Sequence, residues 1–304
     1  MKIATLSIVV PTKGCVNKCK FCVSRMHDND YESCFDPIQI EKRIKWSVMN
    51  GVNTCILTGT GEALQNTGFL AKLLEIFEKL DHPFPNVELQ TSGALLNKKI
   101  QSGPFSREIS YPNIDLLKKL RVNTISLSVS DLFHYERNME IIGVPLALSF
   151  TLDEICSLIK SQGFNLRLSL NMTNSYDSAD PQMILNECKD LGADQITFRE
   201  LYHNHDNTPQ SKWVRENECS FMTMAKIKEH ISGKKIAGGF IEKGCGTPLY
   251  KLPFGSTAYS IDGMSVVIDT NCMGKDPEET LKYIILRENG KLYSQWDDNG
   301  SLIF

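Results

Sequence analysis

Over the first 240 residues, segments that read as strands alternate with segments that read as helices. No other feature limits the fold as much. Leu6 to Val10 is a short apolar run closed by Pro11, the pattern of a buried strand. Asp36-Pro37 then offers a cap followed by proline at the first helical position. Ile40, Ile44 and Val48 recur at four-residue spacing until Asn50-Gly51 ends the helix. Asn53 to Thr58 is a second strand, and Phe69, Leu70, Leu73, Leu74, Phe77 and Leu80 mark a second helix. Asn86 to Thr91, Asn123 to Val129, Asn165 to Asn171 and Asp194 to Phe198 continue the strand series, with Ile236 to Phe240 as one more candidate. Between them the spacing predicts helices near 113–120, in 131–162, from Asp180-Pro181 to Gly192, and near 217–231. Residues 97–113 are polar and irregular, broken by Gly103-Pro104.

Such alternation predicts parallel βαβ units and an α/β fold. Six units in succession fit a partial or full (β/α) barrel of parallel strands, or a doubly wound sheet. In either case the chemistry sits at the C-terminal ends of the strands. After residue 241 the pattern changes. Gly244, Gly246, Pro248, Pro253, Gly255 and Gly263 punctuate short apolar runs, and Asn289-Gly290 and Asn299-Gly300 are tight-hairpin signals. The expected organisation is a barrel core over 1–240 and a small β-rich C-terminal extension over 241–304.

The 304 residues, 41% of them hydrophobic, suffice for such a core. A net charge of −3 gives no electrostatic argument for binding nucleic acid. Lys13, Lys18 and Lys20 form a small basic group that reads as a solvated surface. The run from Leu6 to Val10 is too short to span a membrane and has no cleavage-site pattern, so the expected location is the cytoplasm, with no membrane partner.

Three of the ten cysteines lie within eight residues, as Cys15-Val-Asn-Lys-Cys19-Lys-Phe-Cys22, directly after the first strand. Gly14 stands just ahead, where the backbone must turn. In a reducing cytosol a disulfide framework is not expected, so this trio is a metal or redox candidate. Thiolates are the usual ligands of an iron–sulfur cubane. Three ligands for four irons leave one iron open to a small chelating ligand. Structural zinc instead wants four ligands, commonly in two separated pairs, and no second pair is present; His27 would have to fold back over a short loop.

The C-x3-C-x2-C spacing, the aromatic Phe21 before the last cysteine and the place after the first strand resemble the radical S-adenosylmethionine (SAM) superfamily. The resemblance covers about residues 5–240. It implies a [4Fe–4S] cluster on Cys15, Cys19 and Cys22, with SAM as second cofactor. Thr58-Gly59-Thr60-Gly61-Glu62 resembles the family's Gly-Gly-Glu motif, which holds the amino group of SAM; Thr60 replaces the first glycine, a departure from the pattern. Gln90-Thr91-Ser92-Gly93 resembles the Thr-Asn-Gly stretch, with Ser92 toward the SAM carboxylate. Ser128 is the candidate for a ribose or carboxylate contact in the Ser-x-Asp region, Asn171 resembles the ribose-contacting position, and Arg199 stands where several relatives carry an arginine. Independently of the family, Arg167, Ser169 and Asn171 share one face of a strand whose other face is Leu166, Leu168 and Leu170, which suggests a lined cavity.

The resemblance implies reductive cleavage of SAM to methionine and a 5′-deoxyadenosyl radical that takes a hydrogen atom from the substrate. It also implies an external one-electron donor such as flavodoxin or ferredoxin. Family members act on small molecules, nucleotides, peptides and tRNA, so neither substrate nor catalytic side chain follows. His134, His203 and His205 lie past strand ends but read as loop residues. Cys219, Cys245 and Cys272 are too scattered to predict a second cluster. The competing class is a non-catalytic iron–sulfur or zinc binding sensor or scaffold. The Gly61-Glu62 loop separates the two, because a metal holder has no use for a SAM amino-group site.

Overall fold

The computed structural model describes all residues except 1–2, 27–34, 99, 102–108, 205, 236–240, 253–255, 270–280 and 297. Six strands form the centre: β1 (Ile3–Val10), β2 (Thr54–Gly59), β3 (Asn86–Thr91), β4 (Thr124–Val129), β5 (Asn165–Asn171) and β6 (Gln195–Arg199). Each pairs in parallel with the next in chain order. The intervening helices are α1 (Pro37–Met49), α2 (Thr67–Lys79), α3 (Pro112–Lys119), α4 (Tyr135–Ile142), α5 (Leu152–Ser161) and α6 (Pro181–Asp190), followed by α7 (Pro209–Asn217) and α8 (Phe221–Ser232).

Local chemistry sets the helix starts. Asp36 accepts the amides of Ile38 and Gln39 at 2.9 and 3.2 Å, and Asp180 accepts that of Gln182 at 2.8 Å, each with proline next in line. Thr151 and Glu154 form a reciprocal capping box. The single helix expected in 131–162 is two helices, because Gly143 at φ +65° and then Pro145 end the first. The helix expected near 217–231 is α8, and a further helix, α7, precedes it. Glu218 turns extended at ψ 151° and bridges to Thr173, and Ser220 caps a new start. The candidate strand Ile236 to Phe240 lies outside the described residues.

The C-terminal extension enters the same sheet, at both of its edges. It contributes β7 (Thr247–Lys251), β8 (Thr257–Ile261), β9 (Met264–Asp269), β10 (Leu281–Leu286) and β11 (Leu292–Tyr293). The order is β7-β8-β9-β6-β5-β4-β3-β2-β1-β10-β11. β9 joins β6 in parallel and β10 joins β1 in parallel, so eight neighbouring strands share one direction. The Asn289-Gly290 signal holds: Gly290, at φ +74°, turns β10 into antiparallel β11. Asn299-Gly300 instead lies in a 3-10 turn that brings Leu302 back against Tyr293. This is the partial-barrel form of the α/β fold.

The two faces of the sheet differ as the alternation requires. Outward-facing Leu6, Ile8, Leu57, Leu89, Ile125, Leu127, Leu166 and Leu168 are fully buried beneath the helices. The inner face encloses a cavity of about 730 Å³, to which β1, β2, β3, β5, β6, β9 and β10 all contribute. Its wall includes Arg167, as the polar face of β5 predicts. The Arg167 guanidinium pairs with Glu88 across β4 and donates from Nε to Gln195 at 2.7 Å. Among the described residues, no single helix is long and apolar enough to cross a membrane.

Arg167→Met should strand the Glu88 carboxylate, whose side chain is only 6% exposed. The expected loss is about 3 kcal/mol in urea unfolding, and Arg167→Met/Glu88→Gln together should recover much of it. A single variant as stable as the parent would show that the pair carries no such strain.

Candidate active site

The cysteine loop leaves β1 at Pro11 and turns at Gly14, φ +76°, where a glycine is favoured. It has little regular structure, so its backbone groups find partners on neighbouring elements. The Val16 amide donates to Gln65 Oε1 at 2.6 Å. The amides of Lys18 and Lys20 donate to the carbonyls of Gly143 and Ile141, at 3.0 and 2.9 Å, at the C-terminal end of α4. Lys20 Nζ adds a surface ion pair to Glu140 at 2.6 Å. The Asn17 side chain is buried and donates to Ser92 Oγ at 2.7 Å. Phe21 packs against Trp213 of α7, ring centroids 6.3 Å apart.

Cys15, Cys19 and Cys22 are all free and partly exposed. They stand close enough to influence one another. Burial first, then the Cys22 and Cys15 thiols and Glu62, push Cys19 up to about 12. Burial also raises Cys15, against the amides of Asn17 and Glu62, which donate to its sulfur and favour the thiolate. Among the described residues, no three His, Cys, Asp or Glu side chains converge on a single-ion site. Residues 11–26 offer thiols as their metal-ligating groups, with no histidine or carboxylate. A three-thiol loop of this kind suits a cubane with one iron left open.

The loop after β2 is pressed against the cysteine loop. A Cβ at Gly61 would lie 2.7 Å from the Gly14 carbonyl oxygen, 3.3 Å from Cys15 Cβ, and closer still to Thr12 Oγ1. Only glycine fits there. Glu62, 4% exposed, accepts from Thr91 Oγ1 at 2.7 Å, from the Ser92 amide at 3.0 Å and from Ser92 Oγ at 2.8 Å. Asn17, Ser92, Glu62 and Thr91 thus form one buried network joining the ends of β1, β2 and β3.

The structure therefore brings together Cys15, Cys19, Cys22, Gly61, Glu62 and Ser92. Ser128 and Asn171 lie outside this network, on the inner faces of β4 and β5. Asn171 donates to Ser130 Oγ at 3.3 Å. Arg199 lines the cavity at the end of β6. His134 accompanies Asp131 in a capping turn at 3.3 Å and is mostly exposed. His205 and Cys272 lie outside the described residues, and Cys219 and Cys245 sit in separate segments.

Thr60, the departure from the family motif, has a partner. Its hydroxyl donates to Glu288, which lies 228 residues away just past β10. Glu288 lines the cavity together with Thr60, Val23 and Ser24, and burial raises its carboxyl while the Thr60 hydrogen bond lowers it. Sequence reasoning missed Glu288 and Asn17. Asn17 is a spacer position of the cysteine motif, Glu288 belongs to no motif, and only strand order places Glu288 beside residue 60.

The family model of the Radical SAM superfamily matches residues 9–143, which hold the cysteine loop, the Gly61-Glu62 loop and α4. Residues 9–143 are therefore similar to a radical SAM domain. Solved radical SAM relatives show the same fold at low identity. SuiB of Streptococcus suis, bound to precursor peptide SuiA, aligns over 98% of this chain and 62% of its own at 15% identity, TM-score 0.52. Native anSMEcpe with bound AdoMet and Cp18Cys peptide aligns over 75% of this chain and 58% of its own at 15% identity, TM-score 0.51. HydG, a maturase of the [FeFe]-hydrogenase, aligns over 74% and 49% at 13% identity, TM-score 0.50. The chain spans less than two thirds of the length of each of them. No curated protein matches it.

Gly61→Ala should force the cysteine loop and the Gly-Glu loop apart, at a cost of about 1–3 kcal/mol. Gly68→Ala is the control. Its Cβ would meet nothing nearer than Asn66 Oδ1 at 3.7 Å inside α2, so stability should stay level or rise by up to about 1 kcal/mol. Urea unfolding of both variants checks the pair, and equal effects would refute the close-approach argument.

Proposed function

We propose that this enzyme holds a [4Fe–4S] cluster on Cys15, Cys19 and Cys22, binds SAM beside it, and takes a hydrogen atom from an organic substrate enclosed by the barrel. The reading is carried by one observation: a three-thiol loop at the C-terminal end of β1, buttressed by the Gly61-Glu62 loop at the end of β2. Bound there, the cluster would supply an electron and SAM the adenosyl group from which the radical arises. The AdoMet present in the anSMEcpe structure supports the same choice of cosubstrate.

The protein's own part is binding, orientation and exclusion of water. The Asn17–Ser92–Glu62–Thr91 network fixes the loop that carries the thiols relative to the strand ends. Ser128 and Asn171 offer hydroxyl and amide groups on the inner face for the ribose, and Arg199 offers a guanidinium at the cavity wall. Phe21 holds its end of the loop against α7. A cavity of about 730 Å³ suits a small molecule or a short stretch of peptide. Two relatives of the same fold carry peptides in their structures, which supports the peptide form of the substrate. The electron comes from an external one-electron donor of the flavodoxin or ferredoxin kind, in the cytoplasm.

Anaerobic reconstitution should load about four irons and four sulfides per chain. With dithionite, the loaded protein should convert SAM to 5′-deoxyadenosine and methionine. Cys15→Ala, Cys19→Ala and Cys22→Ala should each lose both properties. A colourless chain that takes up zinc and leaves SAM intact would overturn the proposal in favour of a metal-holding scaffold.

A further inference from the structure

The cavity wall holds three arginines and three carboxylates: Arg167, Arg199, Arg287, Glu88, Asp269 and Glu288. Five of these six are accounted for within the protein. Glu88 pairs with Arg167. Asp269 of β9 stands opposite Arg199 of β6 in parallel register. Arg287, 4% exposed, donates to Asn299 Oδ1 at 2.8 Å and to the Gln295 and Asp298 carbonyls at 2.6 and 3.0 Å. Its guanidinium lies 3.8 Å from the Tyr293 ring centroid. Glu288 differs. It is half-buried; among the described residues its hydrogen-bond partner is the Thr60 hydroxyl, and no cation pairs with it. Burial raises its carboxyl, the Thr60 bond lowers it, and no neighbouring charge acts on it. A carboxylate at such a wall attracts a cation more strongly than one in open water does.

Its position is set by the sheet. β10, β1 and β2 are neighbours in parallel register, with Leu286 opposite Ile8 and Gly59 opposite Val10. Glu288, just past β10, therefore stands at the C-terminal end of the strands and reaches Thr60 at the end of β2. The hairpin that carries it is fixed by the contacts of Arg287, by the Arg287 amide on the Lys291 carbonyl and by the Gly290 amide on the Arg287 carbonyl. The Thr60 hydroxyl donates to Glu288 Oε1, and Oε2 has no partner among the described residues. With its proton directed to Glu288, the Thr60 oxygen keeps lone pairs for another donor. The two side chains thus present neighbouring acceptors and one negative charge. That suits a compact, multiply donating ammonium better than a planar guanidinium, which grips both oxygens of one carboxylate.

We infer that Glu288, supplied by the C-terminal extension and braced by Thr60, is the subsite for a primary ammonium group of the substrate, and so selects amines among the molecules the barrel can enclose. The inference rests on the reading above that the barrel cavity holds the substrate. Thr60 then serves the substrate side of the loop after β2. Gly61 and Glu62 serve its other side, against the cysteine loop and the end of β3.

The test is equilibrium binding of n-hexylammonium, its neutral counterpart N-hexylacetamide and n-hexylguanidinium to the anaerobically reconstituted full chain, with SAM and without reductant, followed by ligand-observed NMR titration. The parent should bind hexylammonium about tenfold more tightly than the acetamide, and more tightly than hexylguanidinium. Glu288→Gln keeps size and an oxygen to accept from Thr60 but removes the charge. It should bind hexylammonium about tenfold more weakly than the parent and the acetamide equally well, whereas a merely structural role would weaken both probes alike. Should Glu288→Gln lose its fold, judged by melting temperature, Glu288→Asp, which withdraws the carboxylate by one methylene, should show a reduced preference for the ammonium. A parent that binds ammonium and acetamide alike, or binds neither, overturns the inference, and so does a preference that survives in Glu288→Gln. A parent that favours the guanidinium overturns the assignment to an ammonium. Iron content and SAM binding are measured on the same samples. If the parent neither loads iron nor binds SAM, the functional reading fails, while the ammonium preference stands or falls on its own titration.

Discussion

Asn17 lies inside the protein between two cysteines, and its side-chain amide donates to Ser92, which in turn donates to Glu62. The cysteine loop has few backbone hydrogen bonds of its own, so it keeps one shape only because β2, β3 and α4 end where its orphan groups need partners. Gly61 completes this support by having no side chain, which lets the two loops touch backbone to backbone. Thiols presented this way are arranged before any cofactor arrives, and the ordering cost of binding falls accordingly. The same contacts make the site dependent on distant parts of the fold, since they come from the ends of β2, β3 and α4.

The C-terminal extension alters what the sheet can do. A six-stranded parallel arc would expose two edges and leave its inner face open. Here β9 and β10 extend it on opposite sides, and their inward residues Val267, Asp269 and Tyr283 join the cavity wall. The extension thus helps to enclose the cavity. It also delivers charge: Arg287 organises the last turns of the chain, and the next residue, Glu288, enters the cavity.

Charge inside the barrel is handled by pairing across strands. Glu88 on β3 and Arg167 on β5 meet over β4, and Gln195 on β6 takes the guanidinium Nε. A buried pair of this kind stabilises little relative to an apolar substitute, because desolvation offsets the attraction. Its presence puts a charged pair on the inner face of the sheet.

The local rules were enough for most of the fold. Asp-Pro at 36–37 and 180–181, the four-residue apolar spacing of α1 and the polar-apolar alternation of β5 depend on neighbours in sequence, and the structure follows them. The cysteine spacing and Gly61-Glu62 likewise picked out, without coordinates, two loops that the structure places side by side. The break at Gly143 was less legible, because a helix interruption depends on what the ends pack against. Tertiary structure alone decided that the last strands flank the first and the sixth, since parallel pairing between distant segments leaves no local periodic trace. For the same reason Thr60 read as a small departure from a motif, while in the folded chain it meets Glu288 through the adjacency of β10, β1 and β2.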